Sequence, residues 1–152
     1  MNILIVDDSK TMRTIIENTI LKTGLDFKNI YTAKDGLEAL SILNDEHIPD
    51  IQLILLDWNM PKLNGLELLK KLKGDNKLKN IPVIMITSEG GKKHVVAAIK
   101  VGVFDYMVKP FTVSKLQQKI DIMIDTYLDL KSRTFVKERM RILKENRRQA
   151  KL

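Results

Sequence analysis

Five short apolar segments recur along the chain, separated by longer stretches of mixed polarity. They are Ile3–Val6, Ile30–Ala33, Ile51–Leu56, Ile81–Ile86 and Phe104–Val108. Runs of four to six residues rich in Ile, Leu and Val are typical of strands that are buried on both faces of a parallel sheet. The pattern therefore predicts five strands.

The stretches between these segments have helical periodicity, with apolar residues three and four positions apart. The stripes lie within Thr11–Leu21, Gly36–Leu43, Leu66–Leu72, Val95–Val101 and Leu116–Tyr127. One apolar stripe per helix indicates that each helix packs one face against a sheet. Strictly alternating strands and helices predict an α/β fold, a doubly wound parallel sheet with five helices and right-handed crossovers.

The composition is that of a soluble globular protein, with 44% hydrophobic and 30% charged residues. The sequence contains no cysteine, which excludes disulfides and cysteine metal sites. The short apolar start is followed by Asp7 and Asp8, which is atypical of a signal peptide, and no apolar run is long enough to span a bilayer. We therefore expect a cytoplasmic protein without a membrane span.

The net charge of +7 is concentrated at one end of the chain. Residues 1–125 contain 17 basic and 16 acidic side chains, whereas residues 126–152 contain 9 basic and 3 acidic ones. This asymmetry predicts two parts, an α/β domain at 1–125 and a basic extension at 126–152.

Polar residues follow four of the five predicted strands. Asp7 and Asp8 follow the first strand, Asp57 the third, Thr87 the fourth and Lys109 the fifth. Because functional groups collect at the carboxyl ends of parallel strands, we expect these side chains to lie close together. The alternative for Asp57 alone is a structural role as the cap of the next helix.

Three neighbouring carboxylates repel one another, and a divalent cation would remove that repulsion. Mg²⁺ prefers oxygen ligands, so we predict a magnesium site formed by Asp7, Asp8, Asp57 and the main-chain carbonyl of Asn59. An ionised Asp57 could attack phosphorus without a general base. Lys109 would then offset charge on the phosphoryl oxygens.

These residues, with Lys109-Pro110-Phe111, resemble the signature of the response-regulator receiver domain over residues 2 to about 125. The segment Asp57 to Pro61 and Glu89 are similar to single-domain chemotaxis regulators. The resemblance implies the flavodoxin-like strand order 2-1-3-4-5 and a cis peptide bond between Lys109 and Pro110.

The resemblance also implies a function in a two-component system, that of a signalling switch rather than an enzyme. Asp57 would accept a phosphoryl group from a sensor histidine kinase, with Asp8 and Asp57 on Mg²⁺ and Asp7 bound to it through water. Thr87 would move toward the phosphoryl group and the Tyr106 ring would turn inward. This would change the surface of the fourth helix, fifth strand and fifth helix, where a downstream partner such as a flagellar motor switch would bind.

Further residues have smaller predicted roles. In the family, the residues at the positions of Asn59 and Glu89 flank the path of the hydrolytic water, which suggests a short-lived phosphorylated state. The two histidines, His47 and His94, are expected to be surface residues without a role in binding or catalysis. Trp58 is either a reporter of the site or a packing residue.

The basic extension has an apolar stripe, formed by Phe135, Val136, Met140 and Leu143, which predicts an amphipathic helix. Three alternatives stay open for it. The stripe could pack on a partner protein or on a second copy of the chain as a homodimer; the basic face could bind nucleic acid or anionic lipid; or the segment could be a solvated extension. It is too short to hold a helix-turn-helix output domain.

Two rival functions use a similar scaffold. An aspartyl-phosphate phosphohydrolase usually needs a second acid two residues after the nucleophile, where this chain has Asn59. A flavodoxin-type cofactor binder needs a first loop rich in Gly, Ser and Thr, where this chain has Asp7 and Asp8.

Overall fold

The computed structural model describes residues 1–127 and Arg141. The strands are β1 (Asn2–Val6), β2 (Asn29–Ala33), β3 (Leu53–Leu56), β4 (Val83–Thr87) and β5 (Asp105–Val108). The helices are α1 (Lys10–Lys22), α2 (Gly36–Leu43), α3 (Gly65–Lys73) and α4 (Lys92–Val101), and residues 113–127 are the described part of α5. The five predicted strands and five predicted helices are confirmed.

The chain divides into two compact units, Met1–Gln117 and Gln118–Leu152. The first unit contains the whole sheet. In the second unit, residues 118–127 are helical. Apart from residues 126, 127 and 141, the predicted basic extension lies outside the described residues, so its amphipathic helix stays a prediction.

The sheet is parallel throughout, with the order β2-β1-β3-β4-β5. The order implied by the resemblance is therefore confirmed. In the pairing register, Val6 of β1 lies beside Leu56 of β3, and Thr87 of β4 lies beside Val108 of β5. The residues that follow these strands consequently emerge at one edge of the sheet.

Two strands begin two residues later than the apolar runs that predict them, and β5 begins one residue later, at Asp105. β3 begins at Leu53 rather than Ile51, and β4 begins at Val83 rather than Ile81. β3 begins where Leu53 pairs with Ile3 of β1. Pro82 explains the start of β4, because it lacks a backbone N–H and can only accept from β3. Its carbonyl oxygen accepts from the Ile54 amide at 3.1 Å, and regular pairing starts at the next residue.

The three central strands are buried along their whole length, whereas β2 and β5 are partly exposed. Alternate residues of a strand point to opposite faces. One face forms a single core with α2, α3 and α4 through Leu4, Val6, Ile54, Leu56, Val83 and Met85. Ile16 and Ile20 of α1 are buried outside this core, so the sheet is wound on both sides.

Polar caps start three of the helices just beyond the sheet edge. The side chains of Ser9, Asp35 and Asn64 accept hydrogen bonds from the first-turn amides of α1, α2 and α3. Asn64 also forms a reciprocal capping box with Glu67. These caps fix the loops β1–α1 and β3–α3, which carry the acidic residues.

Gly65 starts α3 where its backbone lies against the end of β3. Its amide donates to the Trp58 carbonyl oxygen at 2.8 Å. A Cβ at this position would lie 2.1 Å from the Asp57 carbonyl oxygen and 2.9 Å from the Trp58 Cα. Only glycine fits here without moving the backbone that carries Asp57.

Gly65→Ala should therefore lower the free energy of unfolding by about 3 kcal/mol, the upper end of the usual cost of overpacking. Urea unfolding measures this change. Gly74→Ala is the matched control, because a Cβ at that helix end would meet its nearest atom at an ordinary 3.4 Å. Equal stability of the two variants would contradict this account of Gly65.

Candidate functional site

Three carboxylates meet at the carboxyl edge of the sheet. Asp7 directly follows β1 and is 1% exposed, and Asp57 directly follows β3 and is 8% exposed. Asp8 is exposed beside them. One carboxylate oxygen from each residue lies within 4.8 Å of the others, close enough to bind a single ion.

Lys109 reaches this cluster from the end of β5. Its Nζ donates to Asp7 Oδ2 at 2.7 Å and to Asp57 Oδ2 at 3.2 Å. The ammonium group is largely buried. With all groups ionised, one ammonium faces three carboxylates, so two negative charges remain uncompensated. The peptide bond between Lys109 and Pro110 is cis, as the resemblance implied.

Backbone and side-chain donors fix the orientation of the two buried acids. The Ser9 amide donates to Asp7 Oδ1 at 2.9 Å, and the Trp58 amide donates to Asp57 Oδ1 at 2.7 Å. Arg13 of α1 donates to the main-chain carbonyl of Asp7 at 2.8 Å. Sequence analysis missed Ser9 and Arg13, since nothing in their spacing distinguishes them from other residues at a helix start.

The environment of Asp57 disfavours its ionised form. Burial raises the pKa of the Asp57 carboxyl above its ordinary value of 3.8, and the nearby Asp7 charge raises it further. The Lys109 ammonium and a hydrogen bond from Thr87 act in the opposite direction and lower this pKa. The ionised Asp57 carboxylate is thus held at an energetic cost, which an added cation would relieve.

Thr87 and Tyr106 are linked through the backbone of Glu89. Thr87, at the end of β4, is fully buried, and its Oγ1 accepts from the Glu89 amide at 3.2 Å. The Thr87 hydroxyl also acts on Asp57, whose pKa it lowers. The partly buried ring of Tyr106 packs against the core, and its hydroxyl donates to the Glu89 carbonyl oxygen.

A chain of polar contacts crosses the rim of the site. Asn59 Nδ2 donates to Glu89 Oε1 at 2.6 Å, and His94 Nε2 lies 3.6 Å from Glu89 Oε2. The His94 ring meets Trp58 edge to face, with ring centroids 4.7 Å apart. The His94 side chain is 38% exposed, as expected of a surface residue, and it has these two partners.

A family model described as the response regulator receiver domain matches residues 3–121. The chain belongs to this family. Chemotaxis protein CheY1 of Helicobacter pylori is 46% identical over 126 residues, which cover 83% of this chain and 98% of that protein. The CheY homolog of Campylobacter jejuni is 44% identical, covering 83% and 94%.

Solved receiver structures share the fold. Chemotaxis protein CheY4 of Vibrio cholerae has a TM-score of 0.70 and 29% identity, covering 80% of this chain and 97% of that one. The Mn²⁺-bound form of response regulator Rcp1 has a TM-score of 0.68 and 31% identity, covering 77% and 86%. The chain is thus a receiver domain of the CheY-like type, whose members are signalling switches rather than conventional enzymes.

The acidic pocket suits a hard cation. Receiver domains bind Mg²⁺ in such a pocket, and here the three acids supply oxygen ligands with two uncompensated charges. The side chain of Asn59 donates to Glu89. The role of the Asn59 main-chain carbonyl as a metal ligand stays a prediction. Among the described residues, no helix is long and apolar enough to cross a membrane.

The raised pKa of Asp57 predicts a pH-dependent stability. The folded chain binds the Asp57 proton more tightly than the unfolded chain does, so this contribution is fully present below pH 3.8 and is lost as pH rises through the folded pKa. Without Mg²⁺, we expect Asp57→Asn to be more stable than the wild type at pH 7. The difference should shrink as the pH falls toward about 4.

Urea unfolding between about pH 4 and pH 8 measures this difference. Asp26→Asn, which removes an exposed acid outside the site, controls for the loss of one negative charge. A difference between Asp57→Asn and the wild type that did not vary with pH would contradict the effect of burial and of Asp7.

Proposed function

We propose that this receiver domain is a phosphorylation-activated response regulator, with Asp57 as the residue that accepts a phosphoryl group from a sensor histidine kinase. One observation carries the proposal: a single ammonium, Lys109, is shared between buried Asp7 and Asp57 beside a third acid. A structural ion pair would need only one acid.

The transfer uses groups that are already in place. An Asp57 carboxylate oxygen forms a bond to phosphorus, while the phosphorus–nitrogen bond of the phosphohistidine breaks and its electron pair returns to the imidazole nitrogen. No general base is required, because an ionised carboxylate has no proton to lose. Lys109 Nζ, which donates to Asp57, and the Thr87 hydroxyl, which lowers the Asp57 pKa, would donate to the phosphoryl oxygens.

Asp7, Asp8, Asp57 and the main-chain carbonyl of Asn59 would hold Mg²⁺ in this reaction. When bound, the ion supplies positive charge that lowers the repulsion between the acids and the incoming phosphoryl group. The Mn²⁺-bound state of the similar regulator Rcp1 supports a divalent site in this fold.

Glu89 would transmit the conformational change from the site to the protein surface. A Thr87 hydroxyl that turns to a phosphoryl oxygen changes its bond to the Glu89 amide, and Tyr106 bonds to the carbonyl of the same residue. Phosphorylation would thus change the preferred positions of β5, which carries Tyr106, and of α4, which follows Glu89. Exposed apolar residues on these elements, Val96, Ile99 and Val108, support a docking surface there, together with the α5 surface implied by the resemblance.

The similarity to chemotaxis proteins supports a function in chemotaxis or motility, with a cytoplasmic downstream protein such as a flagellar motor switch as the partner.

The phosphohydrolase alternative fits the site residues less well. Asn59 has an amide in place of the second acid, and this amide donates to Glu89. Steady turnover of a phosphate ester is therefore not expected.

The central test is phosphoryl uptake from acetyl phosphate. With Mg²⁺, the wild type should incorporate about one labelled phosphoryl group per chain, whereas Asp57→Asn should incorporate none, because the attacking oxygen is gone. Chelation of Mg²⁺ by EDTA should also prevent uptake. Asp26→Asn, an acid outside the site, should behave as the wild type. Label that persists in Asp57→Asn would refute the assignment.

The basic extension gives a separate prediction. We propose that its apolar stripe packs on a partner or a second copy of the chain, so deletion of residues 132–152 should leave phosphoryl uptake intact and change the oligomeric state or the affinity for a partner. Light scattering with and without beryllofluoride, which mimics the phosphoryl group, measures the mass in solution. A truncated chain with unchanged mass and unchanged partner binding would exclude packing. Binding that weakens steeply with salt would instead favour a nucleic acid or lipid surface.

A further inference from the structure

The carboxylate of Glu89 is held from two sides. Its Oε1 accepts from Asn59 Nδ2 at 2.6 Å, and its Oε2 lies 3.6 Å from His94 Nε2. The second distance is longer than a hydrogen bond and is that of a polar contact, which is an ion pair when the imidazole is protonated. Both side chains of the pair are about one-third exposed, so the contact is partly screened by solvent.

His94 is itself anchored. It lies in the first turn of α4, and its amide donates to the Gly91 carbonyl oxygen at 3.0 Å. Its ring packs edge to face on Trp58, at an interplanar angle of 77°. This contact joins α4 to the residue that follows Asp57, so the imidazole is positioned relative to the phosphoryl acceptor.

The bond from Asn59 to Glu89 also fixes the Asn59 amide. Because Nδ2 donates to Glu89, the opposite atom, Oδ1, remains available as an acceptor. An acceptor next to an acyl phosphate can orient a water molecule for attack, and phosphoryl transfer depends mainly on such positioning.

We propose that His94 is a positioning residue for hydrolysis of phosphorylated Asp57, acting through Glu89 on the amide of Asn59. The inference rests on the proposed function of Asp57. In the step concerned, the water oxygen bonds to phosphorus, and the phosphorus–oxygen bond to Asp57 breaks with its electron pair passing to the Asp57 carboxylate. One water proton is lost to the departing phosphate or to solvent.

The test compares the decay of labelled phosphoprotein after the acetyl phosphate is removed, with Mg²⁺ present. His94→Phe keeps a ring against Trp58 but removes the nitrogen that faces Glu89, and it should slow the decay roughly twofold to fivefold, as expected for loss of a half-exposed electrostatic contact. His94→Gln retains a polar N–H group and should restore most of the wild-type rate. His47→Phe is the matched control, since it replaces the other histidine, which is exposed and away from the site, and it should decay as the wild type.

A double-mutant cycle with Glu89→Ala identifies the route. If His94 acts through Glu89, the double variant should decay no more slowly than Glu89→Ala alone. The proposal is overturned if the effects of His94→Phe and Glu89→Ala on the decay rate multiply in the double variant. It is also overturned if His94→Phe decays at the wild-type rate or faster, or if His94→Gln decays as slowly as His94→Phe. Urea unfolding followed by the fluorescence of Trp58, the sole tryptophan, verifies that the variants are folded.

Label uptake and label decay distinguish the role of Asp57 from that of His94. If the wild type takes up no label, or if Asp57→Asn retains it, the proposed function is wrong. If uptake requires Asp57 but the decay rate does not depend on His94, only the positioning role is wrong.

Discussion

The site depends on one ammonium group shared by two buried carboxylates. Lys109 comes from the end of β5, and the acids that it contacts come from the ends of β1 and β3, so a single side chain joins both halves of the sheet. A buried carboxylate without such a partner would be costly. Yet one positive charge does not neutralise the cluster, and burial and Asp7 still raise the pKa of Asp57. The shared ammonium group lowers the cost of burying the two acids, and the cluster can still bind a further cation.

The scaffold holds the three acids and Lys109 close together because it leaves the backbone that carries them very little freedom. The three central strands are buried along their full length, and their register places Val6, Leu56 and Thr87 near one edge. The loops beyond that edge are then tied down by helix caps and by the close approach of Gly65 to Asp57. The core therefore determines the spacing of the charges, and the charges contribute little to the choice of fold. A similar sheet could hold quite different chemistry with other residues at the strand ends.

The number of strands and helices and the position of the site were predictable from the sequence. Strands buried on both faces give long apolar runs, and parallel strands end at a common edge. The meeting of Asp7, Asp57 and Lys109 follows from that rule, whereas the strand order came from family resemblance. The late start of β4 depends on Pro82, whose effect on pairing is visible only once the neighbouring strand is known. The contacts of His94 could not be predicted, since they depend on where the first turn of α4 lies relative to Trp58.

Glu89 forms hydrogen bonds to three of the candidate functional residues. Its amide bonds to Thr87, its carbonyl accepts from Tyr106, and its carboxylate bonds to Asn59. A movement of Thr87 toward a phosphoryl group must alter the first of these bonds, and the backbone that it moves carries the other two. Under the proposed function, the lifetime of the phosphorylated state and the conformational change would therefore be coupled through one residue. Because His94 is placed on α4 and faces the Glu89 carboxylate, a protein that binds α4 could change the rate of hydrolysis without touching Asp57.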